Sequence, residues 1–256
     1  MEIRIEKYKI KYLNEETLGF MIGPKEVSKA SNVAIFTHGF TSHKGSILNW
    51  AIRLAEEGMA CFLFDLPGHY LGNFSEVESF EDFKVEVPKL FFKSYELVCD
   101  HYQLDDGHKL IFGGHSLGAL MAIKASEIEG QKEIERIIAV GFGLPPEGVT
   151  HIFNTKFYKS TLKVREQLVS PAISPDIIFP WIKAEKVALT TQGQHLHLIS
   201  GEDDMVVGKD GTEALKKILE SRNDVTIEKP AKLPHHLPEM AAPHIKKYLK
   251  DEGLLL

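Results

Sequence analysis

Cysteine is scarce in this sequence, since only Cys61 and Cys99 occur among 256 residues. Neither lies in a spacing that is typical of a metal site. Few and unpaired cysteines are compatible with a reducing compartment, so we expect a cytoplasmic location.

Long apolar runs and an excess of positive charge are missing as well. No stretch approaches the length of a membrane span, and residues 1–7 carry charges where a signal peptide needs an apolar run. The net charge is −6 and the pI is near 6.1. This balance disfavours nucleic acid or an anionic membrane as a partner.

The remaining composition, 43% hydrophobic and 26% charged, is that of an ordinary globular protein. Short apolar runs alternate with helical patterns, which predicts a mainly parallel sheet covered by helices on both faces. The expected parallel strands are 33–36, 60–64, 110–112, 137–141, 195–200 and 225–228. Residues 2–12 alternate polar and apolar side chains and are expected to form an antiparallel hairpin with residues 18–22. We therefore predict one α/β domain over residues 1–256.

Residues 144–192 break this alternation, because they are too long for an ordinary connection. They are predicted to be a lid or cap insertion with helices of its own. Its aromatic side chains could line an apolar acyl or aryl pocket, or they could form only the core of the lid. The aromatic residues considered for substrate contact are Phe153, Phe157, Phe179 and Trp181.

The segment 109–124 contains Gly114-His115-Ser116-Leu117-Gly118, a G-x-S-x-G pattern. An apolar run precedes it and good helix formers follow it, so the pattern is predicted to turn a strand into a helix. Such a turn would hold Ser116 in a strained conformation with its hydroxyl exposed. A glycine-flanked turn with a capping serine is the alternative interpretation.

In a doubly wound sheet, ligands bind beyond the carboxyl ends of the strands. The residues at those predicted ends are His38-Gly39-Phe40, Asp65, Ser116, Asp204 and His235-His236. A serine hydroxyl needs a base to become nucleophilic, and a carboxylate orients a histidine for that task. The chain order Ser, Asp, His is the order expected on such a sheet.

Five pieces together resemble the α/β-hydrolase family, most closely its small bacterial esterases. They are His38-Gly39, Asp65-Leu-Pro-Gly-His69, the Gly114–Gly118 pattern, Gly201-x-x-Asp204-x-x-Val207 and His236-Leu-Pro-Glu239. The resemblance implies that Ser116 is the nucleophile, Asp204 the orienting acid and His236 the base. It also implies an oxyanion hole made by the backbone N–H groups of Phe40 and Leu117.

For two of these assignments, neighbouring residues are alternatives. Glu202 and Asp203 flank Asp204, although the spacing to Gly201 and Val207 favours Asp204. His235 competes with His236, and the Pro that follows His236 by two residues favours His236. The loop after Asp65 departs from the family, because Tyr70 stands where a glycine is usual. Asp65 itself is expected to close a turn.

No cofactor or metal is predicted. Gly113-Gly114 lacks both the spacing of a dinucleotide-binding loop and the lysine of a phosphate-binding loop. His195 and His197 share one face of a strand, as metal ligands can, but they lie at its start without a nearby third ligand.

The expected activity is hydrolysis of a carboxylic ester with a small apolar or aromatic acyl group, through an acyl-enzyme. Thioester or amide hydrolysis uses the same groups and stays open. A lyase that uses the histidine as its base, or a ligand-binding protein with an idle triad, are further alternatives on the same fold. The expected partner is a small-molecule substrate, and the oligomeric state stays open, with a homodimer among the alternatives.

Overall fold

A computed structural model describes residues 2–145 and 156–255, and for residues 156–158 the backbone alone. Its centre is an eight-stranded sheet in the order β1-β2-β4-β3-β5-β6-β7-β8. The strands are β1 (Ile3–Tyr12), β2 (Glu15–Pro24), β3 (Val33–Thr37), β4 (Ala60–Phe64), β5 (Leu110–His115), β6 (Arg136–Val140), β7 (His195–Ile199) and β8 (Asp224–Glu228).

Seven α-helices flank this sheet in the part of the chain that is described. They are α1 (Leu48–Ala55), α2 (Phe80–Tyr102), α3 (Leu117–Ala125), α4 (Lys156–Glu166), α5 (Pro175–Ala188), α6 (Gly211–Leu219) and α7 (Ala242–Asp251). None of these helices combines the length and the apolar character that a membrane crossing requires.

The sheet separates two hydrophobic cores. Successive side chains of a strand point to opposite faces, so Phe62 packs in the core that contains α2 and α3, while Leu63 packs in the core that contains α1 and α7. The strands β3 to β6 are almost wholly buried, as strands covered on both faces must be. This arrangement confirms the predicted fold class.

The amino-terminal hairpin is also confirmed. β1 pairs antiparallel with β2 over its whole length, from Ile3 opposite Pro24 to Tyr12 opposite Glu15. β2 in turn pairs antiparallel with β4 and so joins the hairpin to the parallel strands. The carboxyl ends of β3, β4, β5, β6 and β7 therefore meet at one edge of the sheet, where the candidate site lies.

The long segment between β6 and β7 contains α4, a short 3₁₀ turn at Pro171–Ile173 and α5. Below, "the insertion" means residues 156–188. Two backbone hydrogen bonds join it to the loop after β4: Ser170 N–H donates to Gly68 O at 2.9 Å, and Tyr70 N–H donates to Leu168 O at 2.9 Å. The insertion is thereby anchored beside the carboxyl edge of the sheet.

Candidate active site

Ser116 occupies the turn between β5 and α3, with a φ of 51° and a ψ of −108°. This conformation is unfavourable for a residue with a side chain, and it persists because the surroundings leave no alternative. Gly114 and Gly118 touch each other there: a Cβ on Gly114 would lie 2.4 Å from the carbonyl carbon of Gly118. The two glycines of the pattern are thus required by close backbone packing, as the sequence predicts.

The loop after β3 lies directly against this turn. A Cβ on Gly118 would lie 2.5 Å from Thr37 O, and one on Gly39 would lie 2.6 Å from His115 Nδ1. These contacts bring the segment around Phe40 beside the first residue of α3, Leu117. The N–H of a first helical residue has no acceptor within its helix, so it is free to bind an anionic oxygen.

Asp204 is buried in the turn after β7. Its Oδ1 accepts hydrogen bonds from the N–H groups of Val206 and Val207, at 2.9 and 3.0 Å. Burial opposes ionisation of this carboxyl, but the hydrogen bond from His235 and the two backbone donors outweigh it and hold its pKa below the usual value. Asp204 is therefore an anion at neutral pH.

The histidine that pairs with Asp204 is His235, which corrects the preference for His236. His235 Nδ1 lies 2.9 Å from Asp204 Oδ2, and its ring centroid lies 4.7 Å from that of His115, the residue before Ser116. His235 is half-buried, whereas His236 is exposed. The hydrogen bond occupies Nδ1 of His235 and leaves Nε2 as the nitrogen available for proton transfer.

Two backbone anchors explain why His235 faces the acid. Leu233 N–H donates to Asp203 Oδ1 at 2.8 Å, and the indole N–H of Trp50 donates to Pro238 O at 2.8 Å. The segment between these anchors turns through a hydrogen bond from Leu237 N–H to Pro234 O. Asp203 thus holds the histidine loop, and it contacts no histidine in the described part of the chain. Glu202 is exposed.

Three further histidines are buried around the site. Burial lowers the pKa of His38 and of His69 to about 3. Burial, followed by the nearby His235, also lowers the pKa of His115 well below its usual value. All three rings are therefore neutral at pH 7, and a second positive charge is kept away from His235.

Asp65 has the structural role that the sequence predicts. It is fully buried, and its carboxylate accepts hydrogen bonds from the backbone N–H of Lys44, at 2.7 Å, and from the Lys44 ammonium. His38 Nε2 accepts from Leu66 N–H at 2.9 Å and lies 3.6 Å from the same carboxylate. These contacts join the loops that follow β3 and β4.

Tyr70, which replaces a glycine of the family pattern, connects the loop after β4 to the insertion. Its hydroxyl contacts Glu76 at 2.8 Å and Ser170 Oγ at 3.3 Å. Ser170 Oγ also accepts from Val77 N–H at 3.0 Å. The departure in sequence thus coincides with the place where the insertion joins the body.

The structure describes the side chains of two of the four aromatic residues proposed for substrate contact, and it places these two differently. Phe179 on α5 packs edge-on against Phe40, with ring centroids 5.1 Å apart. Trp181 instead packs against Phe80 at the start of α2, at 5.5 Å. Phe153 lies outside the described residues, and the side chain of Phe157 is not described. Only Phe179 is thus seen beside the predicted oxyanion hole.

Two cationic side chains of the insertion were not predicted from the sequence. Arg165 on α4 donates a hydrogen bond to the hydroxyl of Thr41, the residue after Phe40. Lys186 on α5 donates to Gly143 O at 2.6 Å. No short motif marks either residue, although Lys186 follows Phe179 by seven residues, a helical spacing that places both on one face.

His195 and His197 are engaged elsewhere. His195 pairs with Asp224 at 3.0 Å, and His197 bonds Thr226 Oγ1 at 2.8 Å. Among the described residues, no cluster of three ligating side chains suited to a metal ion is found.

Comparisons with known proteins agree with this architecture. The family model described as serine aminopeptidase, S33, matches residues 28–172, more than half of the chain. The comparison with curated proteins finds no match.

Several solved structures share the fold. An esterase of Pyrococcus furiosus is 18% identical, with a TM-score of 0.69 over 97% of this chain and 91% of its own. The thioesterase domain from the curacin biosynthetic pathway is 15% identical, with a TM-score of 0.61 over 96% of this chain and 99% of its own. An epoxide hydrolase of Vigna radiata is 13% identical, with a TM-score of 0.63 over 97% of each chain.

These structures share the fold with hydrolases of different substrates, and at such low identity the likeness extends to the fold alone. The match to the family model covers the strand and turn of Ser116 together with the loops after β3 and β4. This chain is a hydrolase of the α/β-hydrolase fold and belongs to the serine aminopeptidase S33 family.

Proposed function

We propose that the protein is a serine hydrolase that cleaves a carboxylic ester through an acyl-enzyme. Ser116 is the nucleophile, His235 the general base and Asp204 the residue that orients His235. The observation that carries this proposal is the hydrogen bond between His235 Nδ1 and Asp204 Oδ2, beside the strained turn of Ser116.

In this mechanism, His235 Nε2 accepts the hydroxyl proton of Ser116 while Oγ bonds to the ester carbonyl carbon. The carbonyl electron pair moves to oxygen, and the N–H groups of Phe40 and Leu117 stabilise the oxyanion. The bond to the alcohol oxygen then breaks, and that oxygen takes the proton from His235. Water attacks the acyl-enzyme by the same steps and releases the acid and free Ser116.

The positions of Phe40 and Phe179 favour a substrate with an apolar or aromatic acyl group. Their rings lie edge to face at 5.1 Å, and Phe40 also packs edge-on against the neutral ring of His69 at 5.5 Å. A substrate carbonyl held by Phe40 N–H would therefore have an apolar wall beside it. Thioesters and amides remain substrates that the same groups could cleave.

A fluorophosphonate probe tests this proposal, because it reacts with an activated serine. Wild-type protein is expected to be labelled on Ser116 and to cleave a short 4-nitrophenyl ester, whereas Ser116→Ala is expected to do neither. Ser126→Ala is the matched control, since this hydroxyl lies at the end of α3 and bonds Ile123 O. A wild-type protein that is neither labelled nor active would point instead to a lyase or a ligand-binding protein.

The cytoplasmic location also stays a prediction. It is supported by the two cysteines, Cys61 and Cys99, which are free thiols, as is usual in a reducing compartment.

A further inference from the structure

Lys186 is a half-buried cation, and no carboxylate of the described residues forms an ion pair with it. Its ammonium donates to Gly143 O at 2.6 Å and lies 4.7 Å from the ring centroid of Phe142. In the part of the chain that the structure describes, none of the ion pairs includes Lys186. An ammonium has three N–H donors, and among the described residues only Gly143 O accepts from this one.

This ammonium lies on the acid side of the candidate site. Gly143 follows Gly141, where a Cβ would be 3.1 Å from the His235 ring and 3.0 Å from the His115 ring. Gly143 itself contacts Val207, whose N–H donates to Asp204. The negative charge of Asp204 favours the charged form of Lys186, so the two groups are close enough to interact electrostatically.

Lys186 lies on the same helix, α5, as Phe179, which forms part of the apolar wall of the site. Phe179 and Lys186 are seven residues apart, so they share a face and are separated by about 10 Å along the helix axis. Phe179 packs on Phe40. Beside Lys186 on α5, Glu185 pairs with Lys124 of α3, which fixes the helix on the body. One face of α5 thus presents a ring near Phe40 and an ammonium near the acid.

An unpaired, partly desolvated ammonium is costly unless a ligand supplies the opposite charge. Burial lowers the pKa of Lys186 to about 8, so that the group is still mainly cationic at neutral pH. A singly charged carboxylate matches a single ammonium in charge and in hydrogen bonding.

We propose that Lys186 determines substrate specificity by binding a carboxylate that the ester substrate carries at a distance from the scissile bond. This inference rests on the proposed esterase activity. The preferred substrate is then the ester of an acid or an alcohol with an apolar body and a terminal carboxylate. Phe179 contacts the apolar body, and Lys186 binds the charge.

The experiment compares two series of 4-nitrophenyl or alkyl esters of graded length, with and without a terminal carboxylate on the acyl or on the alcohol part. For at least one of the two parts, wild-type protein is expected to show a kcat/KM about tenfold or more higher for the charged ester, as a charge-assisted hydrogen bond allows. Lys186→Met is expected to lower this ratio to about one, largely through KM, and Lys186→Arg to retain most of it.

Lys183→Met is the matched control, because Lys183 is an exposed lysine on the same helix and is expected to keep the wild-type ratio. If the hydrogen bond from Lys186 to Gly143 O only stabilises the structure, its loss should lower kcat/KM for charged and neutral esters alike. That result would overturn the proposal. So would a wild-type protein with no preference in either series. If Lys186→Met fails to fold, Lys186→Gln serves the same comparison.

Failure of the esterase proposal is recognised separately, because it abolishes fluorophosphonate labelling and cleavage of neutral esters in the wild type. Calorimetry of a dicarboxylic acid and the matching monocarboxylic acid then decides the role of Lys186. Tighter binding of the diacid that is lost in Lys186→Met supports a carboxylate site, and equal binding of the two acids contradicts it.

Discussion

The turn that carries Ser116 and the insertion that faces it are fixed by different kinds of contact. Around Ser116, the close contacts are between backbone atoms. A Cβ on Gly118 would lie only 2.5 Å from the carbonyl oxygen of Thr37. The insertion is joined to the body by two backbone hydrogen bonds and by apolar residues such as Ile173 and Ile178. It also makes side-chain contacts, such as Ser170 with Glu76, Arg165 with Thr41 and Lys186 with Gly143.

This difference suggests a division of roles. Close backbone contacts at Gly114 and Gly118 restrict the position of the turn that carries Ser116, as the proposed chemistry requires. Side-chain contacts at the insertion can change without disturbing the sheet. We therefore expect substitutions near the turn to abolish turnover, and substitutions in the insertion to alter the choice of substrate.

The largest effect is expected for the acid. Asp204→Asn should lower kcat by about 10⁴, because an amide can hold His235 in the wrong tautomer. Asp203→Asn keeps an oxygen that can accept from Leu233 N–H, so it should change kcat only a few-fold. Steady-state kinetics on one neutral ester measures both. Comparable losses in the two variants would contradict the assignment of the acid.

Next in size is the effect of a methyl group at the turn. Gly118→Ala should lower the melting temperature or kcat strongly, since its Cβ would overlap the carbonyl oxygens of Thr37 and His38. Gly107→Ala is the control, because a Cβ there meets no atom within 4 Å. Thermal unfolding and ester cleavage measure the two variants. If Gly118→Ala matches Gly107→Ala, the turn is less constrained than the close contacts indicate.

A smaller effect is expected when the pH is changed, because the substrate preference proposed for Lys186 of the insertion depends on its charge. Because burial lowers the pKa of Lys186 to about 8, the group is charged below this pH and neutral above it. The preference for a carboxylate ester should therefore be constant near pH 6 to 7 and decline as the pH rises through about 8. The ratio of kcat/KM for charged and neutral esters cancels any pH dependence of the reaction that both esters share, and it reports on the free enzyme.

Of the residues that the structure describes, the Gly143 carbonyl and the Phe142 ring face the Lys186 ammonium, and the charge of Asp204 acts on it. Asp204 is ionised well below this range, so it does not mask the change. A preference that persists unchanged up to about pH 10 would argue against Lys186 as its source.

The fold and the turn of Ser116 could be predicted from the sequence, because each depends on local patterns. Buried parallel strands are short apolar runs, and a sharp turn into a helix needs glycines at fixed positions. These features need no knowledge of distant contacts.

The choice between His235 and His236 could not be made in this way. It depends on contacts from Asp203 to Leu233 and from Trp50 to Pro238, the second of them 188 residues apart in the chain. Similarly, nothing local indicates that Trp181 packs on α2 while Phe179 packs on Phe40, or that Lys186 donates to a backbone carbonyl and forms no ion pair with a described carboxylate. Such features arise from tertiary packing.

The rate of fluorophosphonate labelling in the two histidine variants tests the central claim most directly. Because His235 bonds Asp204 and His236 is exposed, His235→Ala should slow labelling of Ser116 by several orders of magnitude, and His236→Ala should label within a few-fold of the wild type. Rapid labelling of His235→Ala together with slow labelling of His236→Ala would contradict the account.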